Sequence, residues 1–447
     1  MSVQAMVDAA RTALDAGDAQ QALDVLAPRK HEIDRDEGLA VAWLDVLRET
    51  PARETLQIEV SRILVRWPED PALVMRACDA LIRAAERTPP DEPPAERGPA
   101  QLAAMAAAHC LAGLAPEPSN ASVRAFLHMS HANALRLSHA YDEALGACER
   151  ALALEPERGA FWLNLGLLHK ARRDFEAGLV ANQRARALLG DEKAALWNIA
   201  ICATALGRGA IAVEAWRTLG HDAGIADTGM PLVDGLPPFA VRAASIGSGH
   251  GAQSKVPERS VGFEQLWVTP LSPCHGVISS ASYREAAVDY GDLVLWDGVP
   301  VARAEHEGRH VPCFALLAVL RRGDERRLRF VALQQEPGQL AALGHDLPEQ
   351  SQLFLHHERI ELLCPRCASG EHMRKHAHAP SEEHRLAYGK IVIGASVNLG
   401  AYRRDLEMRL RRHPGVQLVM PGLFEALGET AAAGKAHQMW RGLERAH

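Results

Sequence analysis

The residues best equipped for chemistry lie late in the chain. Cys364-Pro-Arg-Cys367 is followed by His372, His376, His378 and His384. Two thiolates separated by two residues can grip one tetrahedral ion, because a tight turn points both sulfurs inward and nearby imidazoles complete the sphere. Read this way, Cys364, Cys367, His372, His376 and His378 are the candidate ligands of a zinc ion. Two other readings stay open. The pair could sit in a polar surface loop, or it could be a redox dithiol, which would want the cysteines to open a helix within a βαβ unit.

The Cys-x2-Cys-x4-His spacing resembles a zinc knuckle, and a strand running into Cys-Pro-x-Cys resembles the first half of a zinc ribbon. A knuckle would want a further cysteine, so His376 or His378 must stand in; a ribbon would need a second pair, for which Cys274-His275 or Cys313 is available. A second string, His306-Glu-Gly-Arg-His310, has the letters of the His-Glu-x-x-His zinc proteases. That mechanism needs a helix, which brings residues four apart onto one face with the Glu as general base. Gly308 inside the string and Pro312 after it, between two strand patterns, predict a loop instead. Cys274-His275 could be a nucleophile and its base, but neighbours on a strand point apart. No Gly-x-Ser-x-Gly elbow occurs. The Gly247–Gly251 cluster lacks the Gly-Lys-Ser/Thr ending and following helix of a phosphate loop.

The elements that must position these residues change character along the chain. From Phe263 the apolar period becomes two, predicting a β-rich mixed domain over 263–447. Leu293–Trp296 and Val299–Val301 flank Asp297-Gly298, which reads as a two-residue hairpin turn. Phe314–Leu320 and Leu328–Leu333 read as a second hairpin around Arg321–Glu325. Further strands are expected at Gln265–Thr269, Leu353–Leu363 and Lys390–Ile393, making a small sheet or partly open barrel, with two amphipathic helices closing the chain. Residues 221–262, rich in Gly, Pro and Ser, read as a linker.

Before that linker the apolar pattern is helical, and segments Arg124–Pro156 and Gly159–Gly190 are similar to one another at a period of about 34 residues. Trp162, Leu165 and Gly166 keep a W-x2-L-G spacing; Ala151 and Ala185 occupy matching places, and Pro156 closes the earlier unit. Ala132, Tyr141 and Ala144 continue the phase upstream, as Trp197, Leu206, Gly207 and Trp216 do downstream. These residues resemble the tetratricopeptide repeat family. The resemblance covers about half the chain and implies roughly five or six helical hairpins over 1–220, stacked so that neighbours bury a continuous core. Residues 88–99, crowded with proline, read as a loop interrupting the array. The family's inner surface is a peptide groove, and the resemblance makes His128, Asn164, Lys170 and Asn198, on first helices of their units, the candidate contacts, with Asn164 and Asn198 at corresponding points.

The fold class expected is therefore multidomain α+β, a helical repeat solenoid followed by a β-rich mixed domain. At 447 residues with a formal charge of −7, nothing in the balance asks for nucleic acid or an anionic membrane as partner. The basic run Arg403–Arg412 contains Asp405 and Glu407 and reads as a solvated helix face. No apolar run of about 18 residues predicts a membrane span. The N-terminus reads as an amphipathic helix and not as a secretory signal, which with eight scattered cysteines points to a reducing, cytoplasmic setting. The function expected is a protein or peptide adaptor whose second domain zinc stabilises. The alternative is a metal-dependent enzyme or modification factor, to which the repeats present a protein substrate.

Overall fold

A computed structural model describes the chain apart from residues 1, 51–52, 88–97, 246–261, 284–285, 369–376, 378–381 and 445–447. Up to Thr218 the described elements are helical. They run α1 (Val3–Asp15), α2 (Ala19–Leu26), α3 (Glu37–Glu49), α4 (Arg53–Arg66), α5 (Pro71–Glu86), α6 (Gly98–Gly113), α7 (Ala121–Leu137), α8 (Tyr141–Leu154), α9 (Gly159–Ala171), α10 (Phe175–Leu189), α11 (Lys193–Ala205) and α12 (Gly209–Thr218). Several open on an acidic or hydroxyl N-cap: Asp18, Asp36, Asp70 and Asp174 each accept a backbone amide of the first turn, as Ser2 does for α1. Such a cap satisfies an otherwise orphaned N–H. Most of the expected loop at 88–99 lies outside the described residues, and Gly98 and Pro99 already belong to α6.

Sequential helices pack antiparallel around small residues. A Cβ on Gly166 would come within 2.2 Å of the Asn182 side chain, so glycine is what lets α9 lie against α10. Ala144, Ala151 and Ala185 are fully buried. Between units, Phe126 of α7 meets Phe161 of α9 edge-on at 5.5 Å, and the Arg158 guanidinium lies 4.1 Å from the Phe126 ring centre.

The turns repeat more faithfully than the sequence does. Residues with positive φ close α7, α9 and α11 at His139 (62°), Arg173 (62°) and Gly207 (68°), which are 34 positions apart each time (173 − 139 and 207 − 173). After each, the next amide reaches back over one turn: Ala140 N–H donates to Leu135 O, Asp174 N–H to His169 O, and Arg208 N–H to Ala203 O. This is the Schellman closure, in which a left-handed residue satisfies the last helical carbonyls. Gly17 and the bond from Asp18 N–H to Ala13 O repeat it between α1 and α2. His139 and Arg173 hold this conformation against a Cβ penalty of about 1 kcal/mol. Arg173→Gly is accordingly expected to stabilise the chain by about 0.5–1 kcal/mol, read as a higher urea midpoint; a lower midpoint would show that the arginine side chain does more than close the turn.

After the helices come a short pair, β1 (Ala223–Ile225) with β2 (Pro231–Val233), and a five-stranded closed barrel of β3 (Phe239–Ser245), β4 (Gly262–Ser272), β5 (His275–Ile278), β6 (Leu293–His306) and β7 (Arg309–Arg321). A separate antiparallel sheet has the order β11-β8-β10-β9, from β8 (Arg326–Gln334), β9 (Ser351–Leu363), β10 (Glu382–Ile393) and β11 (Val416–Val419). Both faces of that sheet are covered. Phe330 and Ala332 of β8 pack with Leu340 and Leu343 of α13 (Gln339–His345), Tyr402 and Leu406 of α15 (Leu399–Leu410) and Leu423 of α16 (Pro421–Ala426). The alternate residues Val331 and Leu333 pack with Ala436 and Leu443 of α17 (Thr430–Glu444). Alternation of side chains along a strand makes this two-sided burial possible.

By packing, the chain divides into two units. One is Met1–Leu236 with Leu271–His275 and Leu295–Arg303; the other is Pro237–Pro270, Gly276–Val294 and Ala304–His447.

Two hairpin expectations are corrected. Asp297-Gly298 does not turn: β6 runs straight through it from Leu293 to His306, and neither residue has positive φ. Gly298 is needed for close approach, since a Cβ there would stand 2.0 Å from Trp197 Nε1. Phe314–Leu320 and Leu328–Leu333 are both in strands, but β7 belongs to the barrel and β8 to the other sheet. Their connection is pinned by buried Asp292, which accepts from Gly323 N–H at 2.8 Å and from Arg322 and Arg327 at 2.8 and 3.2 Å.

Candidate functional site

The four groove candidates have different fates. Asn164 is half-buried, and its amide makes no hydrogen bond among the described residues. His131, on the first helix of the preceding unit, α7, is likewise half-buried, and burial pushes its imidazole below the usual range. Lys170 and Asn198 are instead turned inward, at 5% and 3% exposure. Lys170 Nζ donates to Asn198 Oδ1 at 2.9 Å and to the Asp297 carboxylate at 2.9 and 3.2 Å. Asp297 lies in the β segment that packs with the helical unit. The pair Asn164 and Asn198, equivalent by repeat position, is therefore split by burial: Asn198 serves the interior, and only Asn164 keeps free hydrogen-bonding capacity. His128, 8% exposed, has a buried Nδ1 without a partner.

Close to the Lys170 network, Cys274 and His275, which do not share a strand because β5 starts at His275, join Ser272 and Thr204 in a polar cluster whose last two members sequence reasoning passed over. Ser272 Oγ is 2.6 Å from His275 Nδ1 and 3.6 Å from Cys274 Sγ, and Cys274 Sγ donates to Thr204 Oγ1 at 3.6 Å. All four residues are fully buried. Burial pushes the Cys274 thiol up to about 12, so it stays protonated at neutral pH and is a poor nucleophile. His275 Nε2 is buried with no partner, and burial pushes the imidazole down to about 4. An unfolded histidine takes its proton near pH 6.5, whereas this one waits until about pH 4. Within that window the unfolded state binds more protons, so stability falls as pH drops, by up to about 1.4 kcal/mol per pH unit, and is unaffected above it. His128 and His356, also held near 4 chiefly by burial, act in the same sense. His275→Gln is expected to remove one such share from the pH slope of urea stability between pH 6.5 and 4; an unchanged slope would mean that His275 is already protonated in the fold.

In the second unit, Lys390 Nζ contacts Ser282 Oγ at 2.7 Å and the carboxylate of Asp289. A Ser-Lys pair can be a nucleophile with its base. Here Ser282 is 1% exposed and the ammonium is paired with a carboxylate, an arrangement that supports the fold. Burial opposes the charge on Asp289, but the Lys390 ammonium and the amides of Ser282 and Tyr290 hold its carboxyl below the usual range.

Cys364 directly follows β9, and Cys367 is the third residue of a four-residue helix, α14 (Pro365–Ala368). Both are buried against Leu363, Leu386 and Val419, and Cys367 N–H donates to Cys364 Sγ at 3.4 Å. Burial and the neighbouring Cys364 push the Cys367 thiol up. The strands on either side, β9 and β10, pair antiparallel, so this helix is not the crossover of a βαβ unit. His372, His376 and His378 lie outside the described residues; among those described, no group of three or more His, Cys, Asp or Glu is placed to hold a metal. His306 and His310 flank a tight turn, Glu307 and Gly308 with φ of 50° and 73°, that joins β6 to β7, and His306 packs on Trp267 at 4.7 Å. The letters of the protease string thus fall on a strand turn, as glycine and proline predict.

No family model matches this sequence, and no curated protein does. Among solved structures, the crystal structure of MamA is similar over 49% of this chain and 92% of that one, at 12% identity and a TM-score of 0.28. A likeness that weak carries no argument. The helical repeat character of the first unit rests on its own packing and turns. No helix of the described residues is long and apolar enough to cross a membrane.

Proposed function

We propose that this chain is a protein-binding adaptor of tetratricopeptide type, whose helical array holds an extended segment of a client protein. The observation that carries the reading is the Schellman turn recurring at His139, Arg173 and Gly207 with a 34-residue period. Helical hairpins closed identically at that spacing stack into a curved array, and such arrays offer an extended concave surface. Asn164 supplies the free amide that an extended backbone can pair with, donating to a carbonyl and accepting from an N–H. The test is a screen of an immobilised peptide library against the full chain and against Asn164→Ala. Peptides enriched on the native protein should lose about tenfold in affinity for the variant, the worth of one or two peptide hydrogen bonds. A library from which nothing is enriched, or peptides indifferent to Asn164 and to His131→Ala, would reject the adaptor reading.

The second unit is proposed to carry a structural zinc ion held by Cys364 and Cys367. Two buried sulfurs with two residues between them suit the ion, and the Cys367 amide bonded to Cys364 Sγ is the kind of donor that steadies a metal-bound thiolate. The remaining ligands would come from His372, His376 or His378. About one zinc per chain is expected from elemental analysis of protein purified without chelator, and none in the Cys364→Ser, Cys367→Ser double variant. Zinc retained in that variant would point to His306 and His310; metal-free native protein would end the proposal.

A further inference from the structure

At the start of α7 lies a concavity of about 440 Å³ whose lining includes Glu117, Pro118, Ala121, Arg124, His128 and Arg150. Its walls are unusual for what they leave unpaired. The Arg124 guanidinium is held in place by the Leu114 carbonyl at 2.6 Å, and no carboxylate among the described residues pairs with it. Arg150, exposed on α8, makes neither a hydrogen bond nor an ion pair among the described residues. His128 is 8% exposed, and its Nδ1 is buried with no partner. The 17-residue helix α7 begins here with no side-chain cap, the amide of its first residue, Ala121, donating to Pro118 O in the tight turn before it, and its dipole still favours negative charge at this end. Burial first, then Arg150, Arg124 and His131, press His128 down to about 4. One carboxylate, Glu117, stands on the rim and takes a hydrogen bond from Ser119 at 3.5 Å.

We propose that this concavity binds a carboxylate from an acidic segment of the client. Two arginines against one glutamate leave about one positive charge to be met. That balance suits a singly charged carboxylate, whose charge matches the surplus, better than a phosphate dianion, whose charge exceeds it. The volume falls within the range of ligand clefts and admits a side chain with adjoining backbone. Arg124 and Arg150 offer the planar donors that pair with carboxylate oxygens, and the helix start adds a complementary dipole. The inference rests on the adaptor reading and names the chemistry of the client.

The test is fluorescence anisotropy of a fluorescein-labelled hexaglutamate peptide with the full chain, with inorganic phosphate and citrate as competitors. Binding is expected to weaken about tenfold or more in Arg150→Ala, the worth of a charged hydrogen bond, and to weaken with added salt. Arg184→Ala, which removes an exposed arginine paired with Glu157, should bind as the native chain does. Equal binding by Arg150→Ala would overturn the proposal, as would phosphate or citrate binding without the peptide, which would mark a small-anion site instead. Library peptides that need Asn164 but ignore Arg150 would overturn this inference and leave the adaptor reading standing.

Discussion

Lys170→Met is expected to destabilise the helical unit by about 3 kcal/mol, the lower end of the cost of removing one partner from a buried ion pair. Lys170 is 5% exposed, and its ammonium joins Asn198 Oδ1 and both carboxylate oxygens of Asp297. Methionine fills the space of the stem but leaves Asn198, 3% exposed, without its donor. Asp297 suffers less, because 27% of its side chain reaches solvent, and that exposure sets the estimate at the low end. Adding Asp297→Leu should recover more than half of the loss, since a buried pair replaced by apolar groups is often close to neutral. The measurement is urea unfolding of the four members of this cycle, followed by helical circular dichroism. A single-variant loss under about 1 kcal/mol would mean that water reaches Lys170 in solution and that the network contributes little.

Gly298→Ala is expected to cost about 1–3 kcal/mol, the range for forcing an extra carbon into a packed site. Its Cβ would stand 2.0 Å from Trp197 Nε1, and Trp197 cannot retreat freely because it packs edge-on against Trp216 at 4.8 Å. Gly298→Asn discriminates further. In a two-residue hairpin turn asparagine tolerates positive φ and would be mild; in a strand crossed by an indole it should be at least as damaging as alanine. Urea unfolding with tryptophan fluorescence reads both outcomes. A mild Asn variant would restore the turn and refute the strand.

These two sites show where local reasoning stops. Asp297-Gly298 has the composition of a turn, and nothing within ten residues contradicts it. The contradiction comes from Trp197 and Lys170, on helices far back in the chain, which demand a glycine and a carboxylate at those places. The same distance misled the reading of Asn198. Repeat position makes it equivalent to Asn164, but Asp297 and Lys170 draw it inside. Cys274-His275 was legible as a pair, but its link to Thr204 was not, for the same reason: it joins a helix to a β segment 70 positions away. In the second unit, strand alternation marked β4, β9 and β10 correctly but did not tell which strands pair. The connection after β7 looks like a hairpin until β7 is seen in the barrel and β8 in the other sheet.

By itself the sequence determined the helical array and the strand-rich half, because 3.6-residue and two-residue periodicities are local consequences of backbone geometry and of burying one face. It also determined the 34-residue repeat, whose turns recur because each helical pair must end so that the next can stack. Tertiary structure alone decided which polar residues are spent inside and which remain for a partner. Burial of Lys170 and Asn198, and the unpaired state of Arg150 and His128, depend on groups brought together from distant parts of the chain, and their charge and solvent access arise only once the fold has closed around them.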